Sequence, residues 1–133
     1  MNDICNMLHA AEDMQKKHKA MGIILSGDFN ARHYTWGDKI IDYNGRKLVD
    51  MIDYTKFSIC TAKTPTYLCK NLDIIGNSFI DLSIISNNLA SSVVECKTDE
   101  EVELFSGAPN RGHVPLITNL VISGVTTYSV PVE

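Results

Sequence analysis

Apolar side chains recur at helical spacing in two parts of the chain and form short continuous runs elsewhere. Spacings of three and four residues predict helices over residues 3–19 and 46–56. Short runs rich in β-branched and aromatic side chains, bounded by Gly, Asn or Ser, predict strands. The predicted strands cover residues 21–25, 57–61, 65–69, 79–85, 93–98 and 114–122, with a turn at 86–88 and a loop at 106–112. Helices mixed with strands in this way indicate an α/β domain.

The first predicted strand leads directly into a polar segment. Residues 21–25 are apolar, so we expect a buried strand, and Gly27 marks the turn out of it. Asp28 and Asn30 follow at the strand end, where open α/β sheets bind their ligands. Alternate residues of an extended segment point the same way, so these two side chains are expected to address one small target. The alternative is a simple turn, because Asp and Asn side chains readily bond to their own backbone.

The side chains of this segment suit the hydrolysis of a phosphate ester by water. An Asp can serve as a base or a metal ligand, and an Asn can donate a hydrogen bond to an oxyanion. Two segments downstream support this interpretation, one carrying Asp81 and the other His113. An Asp–His pair contributed by separate strands would bind a phosphate better near neutral pH than a lone neutral His.

Composition and charge restrict the class of protein. The 133 residues carry a formal net charge of −4, which argues against a broad basic face for nucleic acid, although a local basic surface remains compatible. Basic side chains near the polar segments are Arg32, Lys39, Arg46, Lys47 and Arg111. The four cysteines form no Cys-x-x-Cys pair, so reduced thiols in an intracellular protein are expected. No stretch has the ~20 apolar residues of a membrane helix.

Five short blocks occur in a fixed order along the chain. They cover residues 27–37 (Gly-Asp-Phe-Asn-Ala, then His33 and Trp36-Gly37), 44–48, 65–67 (Pro-Thr-Tyr), 78–82 (Ser-Phe-Ile-Asp-Leu) and 111–115 (Arg-Gly-His-Val-Pro). This ordered set resembles the endonuclease/exonuclease/phosphatase superfamily, which includes DNase I and the abasic-site endonucleases. More narrowly, it is similar to the endonuclease domain of non-LTR retrotransposons of the jockey and R1 kind.

The resemblance implies an α/β fold corresponding to the second half of a four-layered, DNase I-like sandwich. One mostly antiparallel or mixed sheet would carry helices on its outer face, with the half domain at residues 1–122 and a tail at 123–133. The first half, which holds an Asn and the Glu that is the main metal ligand, is expected to be missing from this chain. The inner face of the sheet would then be an exposed apolar patch. We therefore expect a chain that supplies the first half, or self-association through that face.

The resemblance also implies catalytic roles for four residues. Asp28 would orient or deprotonate the attacking water, and Asn30 would hold Asp28 and donate to the phosphate. His113 would donate to a non-bridging oxygen, while Asp81 binds the imidazole and favours its cationic form. Two simpler interpretations stay open: Asp81 as an exposed residue of an alternating strand, and His113 as an ordinary loop residue.

Further residues are implied in substrate and metal binding. Substrate contacts are expected at Arg32, His33, Tyr67 and Arg111. His33 could equally pack within its own loop, where Trp36 is the expected anchor. The implied cofactor is Mg²⁺ or Mn²⁺, with Asp28 as a ligand. Gly112 stands where the family carries an Asp just before the His, which leaves one carboxylate fewer for the metal.

Three functions are compatible with this resemblance. The first is a metal-dependent DNA-nicking endonuclease from a retrotransposon reverse-transcriptase polyprotein, which would act on target-site DNA in the nucleus. The second is the same hydrolysis on another phosphoester. The third is a truncated, catalytically inactive relic that acts as a binding module. Gly112 and the expected missing half predict impaired activity of the isolated chain.

Overall fold

The computed structural model describes residues 2–18, 22–69, 77–99 and 111–122. The helices are α1 (Asn2–Lys17), α2 (Tyr43–Tyr54) and the short α3 (Asn87–Ala90), with a 3₁₀ turn at Tyr34–Trp36. The strands are β1 (Ile24–Asp28), β2 (Phe57–Cys60), β3 (Tyr67–Cys69), β4 (Asp81–Ser86), β5 (Val93–Thr98), β6 (Arg111–His113) and β7 (Leu116–Leu120). Helices and antiparallel strands together confirm the predicted α/β class.

The strands form three antiparallel ladders within the described residues. A three-stranded sheet has the order β1-β4-β2, and two further ladders pair β3 with β6 and β5 with β7. The expected single sheet is therefore seen as separate hydrogen-bonded units. Strand β4 is central and almost wholly buried, because both of its edges are paired and its two faces are covered.

Both long helices pack on one face of the three-stranded sheet, as predicted. Alternate residues of β4 point to opposite faces, and Leu82 and Ile84 point towards the helices. These two side chains join Leu8 of α1 and Leu48 of α2 in one core, and all four are fully buried. Trp36, Phe29 and Phe57 complete the same cluster. The helical periodicity of the sequence therefore predicted the buried positions of Leu8 and Leu48, whereas Met7 and Met14, which share the predicted apolar stripe of α1, are exposed.

The opposite face of the three-stranded sheet combines small hydroxyl side chains with Ile85, which is fully buried, and Ile24, which is 39 % exposed. The expected large apolar patch on this face stays a prediction. Ser26 and Ser83 lie in register across β1 and β4, with hydroxyl oxygens 2.7 Å apart. The Ser83 hydroxyl also lies 2.7 Å from the hydroxyl of Thr118 in β7. Small hydroxyl side chains thus link the three-stranded sheet to the β5–β7 ladder, which covers part of this face.

Strand β1 differs from the prediction in its burial and its end. It was expected to be buried, but four of its five residues are exposed, because it is an edge strand that pairs only with β4 among the described residues. It was also expected to turn at Gly27, yet pairing continues through Gly27↔Leu82 to Asp28↔Asp81. The partner strand keeps the segment extended, and this pairing cannot be inferred from the local sequence.

Other boundaries differ for similar reasons. Residues 111–112 were assigned to a loop, but Gly112 pairs with Leu68 in the β3–β6 ladder. Helix α2 begins earlier than predicted because the Asp42 carboxylate caps it, accepting the Gly45 amide at 2.7 Å. The predicted turn at 86–88 forms the start of α3 instead. The expected tail at 123–133 lies outside the described residues.

Two findings bear on the expected environment of the chain. Cys5, Cys60 and Cys96 are free thiols. Among the described residues, no helix combines the length and the apolar character that a membrane crossing requires.

A buried carboxyl connects the loop after β1 to the segment that precedes β4. Asp38 is buried, and its Oδ1 accepts the Phe79 amide at 3.0 Å. Its Oδ2 has no hydrogen-bond partner among the described residues. Burial raises the pKa of the Asp38 carboxyl, and hydrogen bonding from Phe79 and the charge of Arg32 oppose this shift only in part.

We expect Asp38→Asn to be relatively more favourable at pH 7 than at about pH 4. A raised folded-state pKa means that the stability contributed by Asp38 is fully present below its unfolded pKa and is lost as pH rises through the folded pKa. The asparagine keeps an Oδ1 acceptor for Phe79 but has no such pH dependence. Chemical denaturation of both proteins across this range measures the difference in unfolding free energy. Parallel pH profiles for the two proteins would contradict the expectation.

Candidate active site at the end of the β1–β4 pair

Two carboxylates face each other at one end of the three-stranded sheet. Asp28 ends β1, Asp81 begins β4, and the two are direct partners in the antiparallel register. They lie on the same face as Ser26 and Ser83, because partners in a ladder and alternate residues of a strand share a face. Like charges placed directly opposite each other destabilise a strand pair unless another group compensates.

His113 lies between these carboxylates. Its Nδ1 is 2.8 Å from Asp81 Oδ2, a hydrogen-bond distance, and its Nε2 is 3.6 Å from Asp28 Oδ2. The Asp81 side chain is 16 % exposed, whereas the side chains of Asp28 and His113 are about half exposed. The structure thus brings together three of the four residues expected to be catalytic.

The surroundings of His113 fix its ring and leave one side open. Tyr67 is its partner in the β3–β6 ladder, and the two rings meet edge to face, with centroids 5.0 Å apart. A cleft of about 290 Å³ opens beside the imidazole. Its lining residues are Ser26, Gly27, Asp81, His113, Val114, Pro115 and Leu116. Tyr67, expected to contact substrate, supports the histidine directly.

Asn30 lies beside the site in a different geometry from the one expected. Its φ of +46° is left-handed, so Asp28 and Asn30 do not form the extended pair that the sequence suggested. Its backbone amide donates to Asp28 Oδ1 at 2.9 Å, and its Oδ1 accepts from Arg32 at 3.3 Å. The turn alternative is therefore correct for the backbone, and Asn30 holds Asp28 through its main chain.

Arg32 is engaged within the protein. Its guanidinium lies 3.4 Å from Asp42 Oδ2, and Asp42 Oδ1 accepts the Arg32 amide at 2.9 Å. Asn44 donates its side-chain amide to the Asn30 carbonyl at 3.1 Å. Sequence reasoning missed Asp42 and Asn44 as supports of this loop. The position of Asp42 just before the α2 pattern is a typical N-cap signal that could have identified it.

Two other expected residues have structural positions in the same loop. His33 accepts the Thr35 amide on its Nδ1 at 3.0 Å, and its ring lies 5.4 Å from that of Trp36. Trp36 is buried and donates its indole N–H to the Ala31 carbonyl at 3.1 Å, which confirms it as the loop anchor. These contacts favour the packing role for His33. Arg111 begins β6, and its side chain lies outside the described part of the chain.

The three central residues form a group with metal-ligating potential. Asp28, Asp81 and His113 can each offer one ligand atom, and these atoms lie within 4.8 Å of one another. Carboxylate oxygens are ligands that Mg²⁺ and Mn²⁺ favour, and Mn²⁺ also tolerates imidazole. Gly112 supplies no side chain to this group, as the sequence indicated.

One comparison with known proteins identifies a family. The model of a family described as endonuclease-reverse transcriptase matches residues 2–106. The matched range includes both strands that carry the carboxylates, whereas His113 lies beyond it. No curated protein and no solved structure gave a significant match.

We expect Gly45→Ala to loosen the loop that supports Asp28. A Cβ at residue 45 would overlap the Arg32 carbonyl group, a backbone neighbour that cannot swing away. Overpacking of this kind typically costs about 1–3 kcal/mol of unfolding free energy. Arg46→Ala, at an exposed position in the same helical turn, is the matched control. Equal denaturation midpoints for the two variants would show that the loop accommodates the methyl group.

Proposed function

Because this chain belongs to the endonuclease-reverse transcriptase family of the endonuclease/exonuclease/phosphatase superfamily, we propose that it hydrolyses a phosphodiester bond of DNA with a divalent metal ion. The observation that supports this most strongly is the position of His113 between Asp28 and Asp81. A base, an oriented imidazole and an open cleft on one sheet end are the parts that such a hydrolysis requires.

In this proposal His113 binds the phosphate through Nε2. Its Nδ1 is held by Asp81, so the Nδ1 proton points at that carboxylate and the ring orientation is set. The Nε2 edge remains beside the cleft. A protonated Nε2 donates to a non-bridging oxygen as negative charge builds on it in the transition state.

Asp28 acts on the attacking water. Its Oδ2 lies 3.6 Å from His113 Nε2, beyond direct hydrogen-bond distance, so the two side chains can act on neighbouring oxygens of one phosphate and its attacking water. The carboxylate accepts a proton from water while the water oxygen bonds to phosphorus. The bond from phosphorus to the 3′ oxygen breaks, and that oxygen takes a proton from solvent water to give a 3′-hydroxyl, which would prime reverse transcription.

A divalent cation is proposed for electrostatic reasons. Two carboxylates at the end of β1 and β4 repel a phosphodiester, and one imidazolium cannot neutralise all three anions. The carboxylate oxygens of Asp28 and Asp81 would hold Mg²⁺ or Mn²⁺. When bound, the ion neutralises charge on the phosphate and the leaving oxygen.

We also propose that further strands pack beside the β5–β7 ladder. A two-stranded ladder is marginal by itself, and Val94 and Val121 on or beside it are about two-thirds exposed. A companion chain carrying the first half of the superfamily domain, or a second copy of this chain, would cover these groups. DNA is the proposed substrate partner, and a nuclear location follows from the retrotransposon interpretation.

Gly112 favours a second candidate, a chain that binds but does not cleave. It occupies β6 directly before His113, where the family carries a carboxylate. With Asp28 and Asp81 as the only carboxylates in the described cluster, metal affinity would be weak. A nicking assay distinguishes this catalytically inactive candidate from an active nuclease.

We expect the chain to nick supercoiled plasmid DNA in Mg²⁺ or Mn²⁺ when a first-half domain is added, and to nick it much more slowly alone. A chelator should abolish the reaction. His113→Ala and Asp28→Ala should each lower the rate by about 100-fold or more, the size of a lost general acid or base. His9→Ala is the control, because His9 lies on α1 and pairs with Glu12. Folded protein without nicking, alone and with a first-half domain added, would support the relic instead.

A further inference from the structure

We propose that Thr66 is the positioning residue that sets the geometry of the Asp81–His113 pair. The inference rests on the proposed function for its catalytic meaning, although the geometry exists independently of any reaction. Thr66 is fully buried and stands directly before β3, in the chain segment that lies beside both Asp81 and His113. Its hydroxyl bonds to the main-chain amide of Asp81, so its role is indirect.

The Thr66 hydroxyl takes the place of a missing strand partner. The register of β2 with β4 ends at Cys60↔Ser83, so β2 does not reach Asp81. On the other edge, the amide of Phe29, the residue directly after β1, donates to the Ile80 carbonyl at 2.8 Å. The Asp81 amide therefore points to the edge that β2 has left, where Thr66 Oγ1 accepts it at 3.0 Å.

The backbone of Thr66 holds the other partner. Its carbonyl accepts the Val114 amide at 2.7 Å, one residue after His113. Its own amide donates to the Ser78 carbonyl at 2.9 Å, which ties Thr66 to the segment that leads into β4. These two main-chain hydrogen bonds therefore fix the position of Thr66 independently of its hydroxyl.

These contacts connect two distant parts of the chain through one residue. The side-chain oxygen of Thr66 fixes the backbone at Asp81, and its carbonyl oxygen fixes the backbone next to His113. The side chains of Asp81 and His113, 32 residues apart in sequence, meet at 2.8 Å. Loss of the hydroxyl would leave the partly buried Asp81 amide without this partner, which is unfavourable. The start of β4, and the Asp81 carboxylate with it, would shift.

Thr64 provides a matched control two residues away. Its hydroxyl lies 2.6 Å from the hydroxyl of Thr98 in β5, so Thr64→Val also removes a hydrogen-bonded hydroxyl from a partly buried pair. This pair includes neither Asp81 nor the backbone next to His113. Thr64→Val should therefore leave the site geometry unchanged.

The experiment compares Thr66→Val, Thr66→Ser and Thr64→Val in proton NMR and in the nicking assay. The wild type should show a downfield Nδ1–H resonance from His113 that disappears in Asp81→Asn. We expect Thr66→Val to lose this resonance and to nick about 10-fold to 100-fold more slowly, the usual size for a group that orients a site residue. Thr66→Ser should restore both the downfield resonance and the nicking rate. Thr64→Val should retain both at the wild-type level.

Retention of the downfield resonance in folded Thr66→Val would overturn the proposal, even if the wild type proved unable to nick DNA. Absence of nicking both alone and with a first-half domain added, together with the expected NMR pattern, would instead reject the proposed function and leave the positioning role intact. If Thr66→Val does not fold, the proposal is tested by the rate of hydrogen exchange of the Asp81 amide in the wild-type protein. The proposal requires slow exchange at Asp81, and exchange as fast as that of exposed loop amides would refute it.

Discussion

The antiparallel pairing of β1 with β4 is the constraint on which the rest of the site depends. It runs in register from Ile24↔Ile85 to Asp28↔Asp81 and ends by setting two carboxylates opposite each other. This arrangement is unfavourable without a compensating charge or donor, because both carboxylates carry the same charge. The ring of His113 enters between them and supplies that compensation. The repulsion between the two facing carboxylates therefore favours the imidazole in the position between them.

One face of the three-stranded sheet packs in the hydrophobic core, and the opposite face carries the candidate site. On the helical face, fully buried Leu82 and Ile84 pack with Leu8 and Leu48 in the hydrophobic core. The opposite face carries hydroxyl side chains, such as Ser83, and ends in the carboxylates. A strand with period two can present both surfaces, so one rigid element fixes the core and the chemistry together.

The loop after β1 is held by polar contacts that leave few of its charged groups available. Arg32 is paired with Asp42, Asn30 bonds through its backbone to Asp28, and Trp36 is anchored on Ala31. Such contacts pre-organise the Asp28 carboxylate, because its position is then set by neighbours and does not depend on a bound substrate. Arg32 and His33, which the sequence assigned to substrate contacts, make structural contacts within this loop.

The sequence by itself determined the two long helices, the strand character of β4 and the candidate residues Asp28, Asp81 and His113, because periodicity and short motifs are local properties. Only the tertiary structure decided that β1 is an exposed edge, that residues 111–113 form a strand and that Thr66 lies beside both Asp81 and Val114. These features depend on hydrogen bonds between segments far apart in the chain. A local sequence pattern does not specify which distant amide will bond to a given hydroxyl or carbonyl oxygen. The geometry of the site depends on these long-range hydrogen bonds.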